Sequence, residues 1–307
     1  MISLRQHVAS LVAVFLALAV GIALGGGPLA ADEDGDPGAP DGRSASSTPT
    51  PSPGPVSDRA AEFADAFAGQ GANRLYADGL SGHAAAILAM PGAESATVKA
   101  LQAQIVAAGG AITGTFTAGA KLVDAAEKTL VDTLGSQLST QLADPRAEAS
   151  VPTYERMGQL LGVAMATTQA SSVRADLAAV SVRESLGPAE LLTSPDDVRN
   201  APLVLVVLPP GRDGAESSLA TRTILAGLVS GVGHNAAGVV VAGDADSADD
   251  GELAALREDD LTGPISTVDG VETTIGQVTA VLAMEAVIAG TTGSYGASGS
   301  DGVVPLP

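Results

Sequence analysis

The stretch 203-LVLVVL-208 decides the fold of this chain, because every residue in it is apolar and half of them are valine. Pro202 precedes the stretch, and Pro209–Pro210 follow it. A short, uninterrupted apolar run between turn-forming residues is typical of a strand buried on both faces of a parallel sheet. Since parallel strands need crossover segments, which are usually helices, the run predicts an α/β domain.

Strand and helix patterns alternate on both sides of this run. The predicted strands are Ala84–Met90, Ala111–Thr117, Leu203–Leu208, Gly238–Ala242 and Ile265–Val268. The predicted helices are one with Val98, Leu101 and Ile105 on a single face, then Leu122–Leu142, Tyr154–Ala166, Ser171–Leu186, Ser217–Ser230, Glu252–Arg257 and Val271–Ala289, the last capped by Asp269 and Glu272. This alternation predicts a mostly parallel, doubly wound sheet of the flavodoxin or Rossmann type with flanking helices.

The N-terminal segment is a candidate transmembrane helix. No charged residue lies between Val8 and Leu24, and Arg5 precedes the run. As a helix the run covers about 25 Å, slightly less than a hydrocarbon core of roughly 30 Å. It also exceeds the apolar core of a signal peptide, and Pro28 and Leu29 spoil the nearest cleavage sites. We therefore expect a retained single-pass anchor, with a cleaved signal peptide as the alternative.

The same segment indicates a location and a possible self-contact. By the positive-inside rule, Arg5 keeps the N-terminus in the cytoplasm, so the body lies on the outer side of the inner membrane. Gly21 and Gly25 have the GxxxG spacing that lets two membrane helices approach closely. Chance is the alternative explanation of this spacing in an Ala- and Gly-rich anchor.

Composition divides the rest of the chain into three parts. Residues 28–57 are rich in Pro, Gly, Ser and Thr and lack large apolar residues, which predicts a disordered tether after the anchor at 1–27. Residues 58–290 form the predicted α/β domain, beginning with a short helix at Asp58–Phe67. Residues 291–307 are expected to be a flexible tail.

Charge and composition exclude several classes of protein. The chain has 35 acidic and 15 basic residues, a net charge of −20, so it repels the phosphates of nucleic acids. It has no cysteine and therefore neither disulfides nor thiolate metal sites.

Motifs for catalysis or nucleotide binding fail in both pattern and context. Neither GxGxxG, GxxxxGK[ST] nor GxSxG occurs, so Gly211, Gly214, Gly231 and Gly233 are expected to serve turns and helix ends. No catalytic residue and no cofactor site is evident. We therefore expect a protein that is not an enzyme.

Two weak sets of metal ligands remain. Asp244 and Asp246 belong to an acidic loop after a predicted strand, where carboxylates could hold a hard cation. The alternative is a solvated loop whose acids favour the start of the next helix. His83, His234 and Met90 could converge on a soft metal, with ordinary core and surface positions as the alternative explanation.

Four blocks of sequence resemble one known family. They are MISLRQHVASLVAVFLALAVGIALG, GSQLSTQLAD (135–144), ISTVDGVETTIGQVTAVLAM (265–284) and GSYG (293–296). In this order they are similar to the mycobacterial copper transport protein B family of actinobacterial envelope proteins. The resemblance implies copper homeostasis by efflux, an extracytoplasmic α/β domain, and copper as the metal involved. The family label also implies an outer-membrane association.

One departure from the family bears on partners. The tether stands where the family has a charged, heptad-like helix, so assembly through a coiled coil is not expected here. Two functions therefore stay open. The first is a membrane-anchored contribution to copper homeostasis outside the cytoplasm. The second is a non-enzymatic module that docks a membrane partner, another envelope protein or a second copy, in envelope assembly or division.

Overall fold

The computed structural model describes residues 55–211, 218–259 and 261–305. The predicted anchor with Gly21 and Gly25, and the tether except for its last three residues, lie outside these described residues. Within the described ranges, no helix is both long enough and apolar enough to cross a membrane.

Helices and strands alternate through the described chain. The helices are α1 (Pro55–Tyr76), α2 (Ser95–Ala107), α3 (Ala120–Val123), α4 (Lys128–Leu142), α5 (Thr153–Met165), α6 (Leu177–Leu186), α7 (Leu219–Asn235), α8 (Ala245–Asp249), α9 (Glu252–Arg257) and α10 (Thr274–Ile288), with a 3₁₀ turn at Ala125–Glu127. The strands are β1 (Ala84–Ala89), β2 (Ala111–Ala118), β3 (Val173–Arg174), β4 (Leu192–Thr193), β5 (Arg199–Asn200), β6 (Leu203–Val207), β7 (Gly238–Ala242), β8 (Ile265–Val268) and β9 (Ser294–Tyr295).

The central sheet is mixed but mostly parallel, as the sequence predicts. Its strand order is β4-β2-β1-β6-β7-β8-β9. All neighbouring pairs are parallel except β4, which runs antiparallel to β2 at the edge. The short strands β3 and β5 pair separately as an antiparallel ribbon. The order of the five longer parallel strands, β2-β1-β6-β7-β8, is that of flavodoxin-like sheets.

The apolar run Leu203–Leu208 lies at the centre of the sheet, and its side chains belong to two hydrophobic cores, one on each face. Leu203, Leu205 and Val207 contact the apolar cluster under α1, α2 and α10. Val204, Val206 and Leu208 contact the opposite cluster, under α4, α5, α6 and α7. Because successive side chains of a strand point to opposite faces, one uninterrupted apolar run buries both faces of the sheet.

Glycines bring α5 and α7 into backbone contact. Each helix carries a GxxxG pair, Gly158/Gly162 on α5 and Gly227/Gly231 on α7. A Cβ on Gly231 would lie 2.6 Å from Gln159 N and would also overlap Glu155 O. The expectation that Gly231 and Gly233 serve turns or helix ends is wrong, because α7 continues through both of them to Asn235.

The helix before β1 is longer than its sequence predicts. We expected a short helix at Asp58–Phe67, but α1 continues to Tyr76 through Gly69 and Gly71. Tertiary contacts outweigh the poor helix propensity of glycine here. Asp65 Oδ1 accepts a 2.9 Å hydrogen bond from Thr274 N at the start of α10. Further along α1, Ala72 and Tyr76 are buried beneath α10.

The C-terminal region also differs from its prediction. The last helix begins at Thr274 with Thr273 as its N-cap, whose hydroxyl accepts from Gly276 N. Asp269 is therefore not the cap of that helix. Within the expected flexible tail, Ser294–Tyr295 forms β9, which pairs with β8 and buries Tyr295.

A partly buried carboxyl group lies beneath the turn that joins α1 to β1. The Glu285 side chain on α10 faces Gly79, and a Cβ at Gly79 would overlap its carboxyl group. Its Oε1 is buried and has no hydrogen-bond partner among the described residues. Burial raises the pKa of Glu285 from its ordinary 4.5 to about 7. The pKa of Tyr76 is raised mainly by burial and further by the negative charge of Glu285.

The close contact at Gly231 predicts that the addition of one methyl group there lowers the stability of the domain. Gly231→Ala should lower the free energy of unfolding by about 1–3 kcal/mol or more, because its Cβ forces α5 and α7 apart. Gly71→Ala is the matched control, since a Cβ there meets no atom within 4 Å. It should raise stability by about 0.5–1 kcal/mol through helix propensity. Urea denaturation measures both, and equal effects would contradict the interpretation.

Glu285 predicts a specific dependence of stability on pH. Between its unfolded pKa of 4.5 and its folded pKa of about 7, the native state binds more protons than the unfolded state. The free energy of unfolding should therefore fall as pH rises through this window and level off above it. Glu285→Gln should remove this slope, whereas the exposed Glu62→Gln should keep it. Thermal melts from pH 4 to 8 provide the measurement (roughly spanning both pKa values).

Candidate functional site at the carboxyl edge of the sheet

The order of the strands reverses between β1 and β6. The chain leaves β1 toward β2 on one side and leaves β6 toward β7 on the other. In open α/β sheets, the loops at such a reversal separate and leave a crevice at the carboxyl ends of the strands, where ligands bind. This edge is therefore the first place to look for a functional site.

A small crevice lies at that edge. Its volume is about 170 Å³, and its lining residues are Glu94, Thr97, Leu208, Pro210, Asp244, Val271 and Glu272. Apolar side chains form part of the wall, and three carboxylates are its only charged groups. The crevice therefore favours cations over phosphates or other anions.

Asp244 holds two loops of this edge together. Its carboxylate accepts the Gly211 N–H at 2.9 and 3.0 Å and caps α8 by accepting Ser247 N–H at 2.9 Å. Asp246 lies in the first turn of α8 and is exposed. The acidic loop thus acts at the start of a helix, and Asp244 also forms the wall of the crevice.

The carboxyl group of Glu272 lies close to other negative charges. Burial raises its pKa, and the charges of Asp244 and Asp246 add to the effect. Its Oε2 accepts a 3.3 Å hydrogen bond from Ala245 N. The arrangement repels anions and leaves a proton or cation as the group that relieves the repulsion.

A buried ion pair lies next to the crevice, where β8 ends. Arg257 Nη1 donates to Asp269 Oδ2 at 2.9 Å, and Arg257 Nη2 donates to Tyr295 O at 2.8 Å. Asp269 also accepts from Ala297 N, Ser298 N and Ser298 Oγ. Burial alone would raise the pKa of Asp269, but the hydrogen bonds from Ser298 and Arg257 lower it. We call these residues the Asp269 latch.

The structure separates the proposed soft-metal ligands. His83 precedes β1 and the buried Met90 follows it, so roughly 20 Å of strand lies between their backbones. His234 is exposed in the last turn of α7. Among the described residues, no group of three His, Cys, Asp or Glu side chains is placed to hold a metal ion.

Sequence reasoning missed Glu94, Arg257 and the site role of Glu272. Glu94 and Glu272 are distant in sequence and meet only because the crossover order makes β1 a neighbour of β6. One signal was available, since Asp269 and Gly293–Gly296 belong to two of the blocks that carry the family resemblance. The latch joins these two blocks.

Comparisons with known proteins agree with that resemblance. Residues 1–305 match the family described as "Copper transport outer membrane protein, MctB". The proteins named copper transporter MctB in Mycobacterium tuberculosis and Mycobacterium bovis are 30% identical to this chain, over 96% of each sequence. The protein of that name in Mycobacterium leprae is 28% identical, over 96% of each sequence.

The latch predicts that loss of one charge releases the C-terminal segment. Asp269→Asn leaves the Arg257 guanidinium buried without a counter-charge, which should cost about 3–5 kcal/mol of stability. In this variant, exchange of the backbone amide hydrogens of β9 should then accelerate relative to that of β6. Asp301→Asn is the control, because its exposed carboxylate accepts from Ser294 N. It should cost about 1 kcal/mol, and equal exchange in both variants would contradict the latch.

Proposed function

Because the chain belongs to the MctB family of copper transport proteins, we propose that it limits cellular copper from a membrane-anchored position outside the cytoplasm. The single observation that carries this proposal is the family match, which includes the N-terminal block as well as the α/β domain. Copper is the cargo of this function and not a resident cofactor. The role is non-enzymatic.

The location follows from the N-terminal segment. Val8–Leu24 serves as a retained anchor in the inner membrane, and Arg5 directs the domain to the outer side. Residues 28–57 give the domain reach from the membrane surface. The family description names the outer membrane, and that membrane is the alternative site of attachment.

The acidic crevice is the candidate point of contact with the cargo. Glu94, Asp244 and Glu272 concentrate negative charge at one opening of a domain that belongs to a protein with a net charge of −20. Such a field raises the local concentration of cations. Among the described residues no three His, Cys, Asp or Glu side chains are placed to hold a metal ion, so the contribution of the crevice is its negative field rather than a coordination site.

A second candidate function has its own supporting observation. Phe63 and Phe67 on α1 are 72% and 71% exposed, and their rings stack with centroids 6.4 Å apart. The whole chain contains only four phenylalanines. An exposed aromatic pair on a helix is typical of a protein-docking surface. This pair supports a module that docks a membrane partner in the cell envelope.

One complementation experiment tests the copper function. A strain without the chain should accumulate copper in copper-supplemented medium, and the full chain should restore the normal content, measured by elemental analysis. Unchanged copper in the deletion strain would refute the copper function. Removal of the anchor by a cleavable signal peptide should abolish restoration if attachment is required.

The docking function makes a separate prediction in the same strain. Phe63→Ser/Phe67→Ser should lose a partner that copurifies with the wild-type chain after cross-linking in cells. Leu177→Ser is the matched control, because Leu177 is 86% exposed on a different helix. Loss of the partner in both variants, or in neither, would count against docking through α1.

A further inference from the structure

A large cavity lies away from the acidic crevice and shares no lining residue with it. It has a volume of about 1210 Å³ and is bounded by α6, the β3–β5 ribbon and the loop after β4. Three arginines line it: Arg174, Arg183 and Arg199. A cavity of this size accommodates an organic ligand rather than a single ion.

These three arginines have no carboxylate partner. Among the described residues, Arg146, Arg156, Arg222 and Arg257 each form an ion pair within 4.0 Å, but none of the cavity arginines does. Arg174 and Arg199 are exposed, and Arg183 is partly buried. Their guanidinium groups are therefore available to pair with a carboxylate group of a bound ligand.

Arg183 is held rigidly at the cavity wall. Its guanidinium donates to Ala164 O at 2.7 Å, Val198 O at 3.1 Å and Asn200 Oδ1 at 2.9 Å. It also lies over the Phe116 ring, 5.5 Å from the centroid. These hydrogen-bond partners are neutral. Burial lowers the pKa of Arg183 by more than the negative charge of Asp176 raises it. Nη1 and Nη2 each retain one further N–H that can donate to a ligand.

The cavity wall also carries acids that do not neutralise the arginines. Glu184, Asp196 and Asp197 line it and are exposed, and none is within ion-pair distance of the three arginines. In addition, Ser194 Oγ in the wall is buried without a hydrogen-bond partner. The cavity therefore presents separate cationic and anionic groups, which match a ligand that carries both charges.

We propose that this cavity binds a zwitterionic amino-carboxylate, of the size of a free amino acid or a short peptide. The ligand carboxylate pairs with Arg183 and Arg174, and its ammonium group faces Asp196 and Asp197. A simple anion would satisfy the arginines but would meet the acids, whereas a zwitterion satisfies both sets of charges.

Calorimetric titration of the purified full chain with L-alanyl-L-alanine tests this proposal. The N-acetylated dipeptide lacks the ammonium group, and the C-terminal amide lacks the carboxylate. Each should bind at least about tenfold more weakly than the free dipeptide, because each loses one charge-assisted contact. No binding of the dipeptide at millimolar concentration (roughly the weakest specific affinity) would overturn the proposal.

Two pairs of variants locate the binding. Arg174→Gln should weaken dipeptide binding about tenfold, whereas Arg74→Gln, an arginine on α1 without an ion pair, should not. Asp197→Asn should weaken binding of the free dipeptide but leave binding of its N-acetylated form unchanged, and Asp249→Asn should affect neither. Equal binding of the free and capped dipeptides, or equally tight binding of inorganic phosphate, would overturn the zwitterion assignment.

Discussion

The backbone contact between α5 and α7 is the constraint on which the rest of the domain depends. Gly158 and Gly231 let the two helices approach closely enough for every residue from Arg156 to Met165 to be buried. The carbonyl groups at the end of α5 then become anchors for other elements. Asn200 Nδ2 donates to Val163 O and Ala166 O, and Arg183 Nε donates to Ala164 O. The positions of the β3–β5 ribbon and of the arginine-lined cavity therefore derive from two glycine pairs.

The domain has two candidate ligand sites that share no lining residue. The carboxyl edge of the sheet concentrates carboxylates whose backbone hydrogen bonds hold the neighbouring loops in place. The cavity beside α6 concentrates arginines that only neutral groups orient. Because the two sites share no lining residue, a cation at the crevice and a carboxylate in the cavity would not compete for the same groups.

The parts of this structure that sequence could predict are those dominated by local pattern. Leu203–Leu208 and the helix at Glu252–Arg257 are set by apolar runs and helix signals, and both are confirmed within a residue. β9 escaped prediction because two residues in a Gly- and Ser-rich segment carry no pattern. Tertiary contacts order them, namely the pairing with β8 and hydrogen bonds with Arg257 and Asp301. The crevice escaped because it depends on which strands are neighbours. The arginine-lined cavity escaped because isolated arginines do not reveal that they lack partners.

The position of β9 has a consequence for the order of events during biosynthesis. The sheet gains its last strand from residues close to the C-terminus, and the carboxylate of Asp269 receives its backbone donors only from Ala297 and Ser298. In a nascent chain that has been synthesised only as far as β8, the ion pair between Arg257 and Asp269 therefore lacks the backbone N–H groups that later bind the carboxylate. Folding can finish only after the final segment has emerged, so a chain that ends early keeps an open sheet edge for quality-control proteases to find.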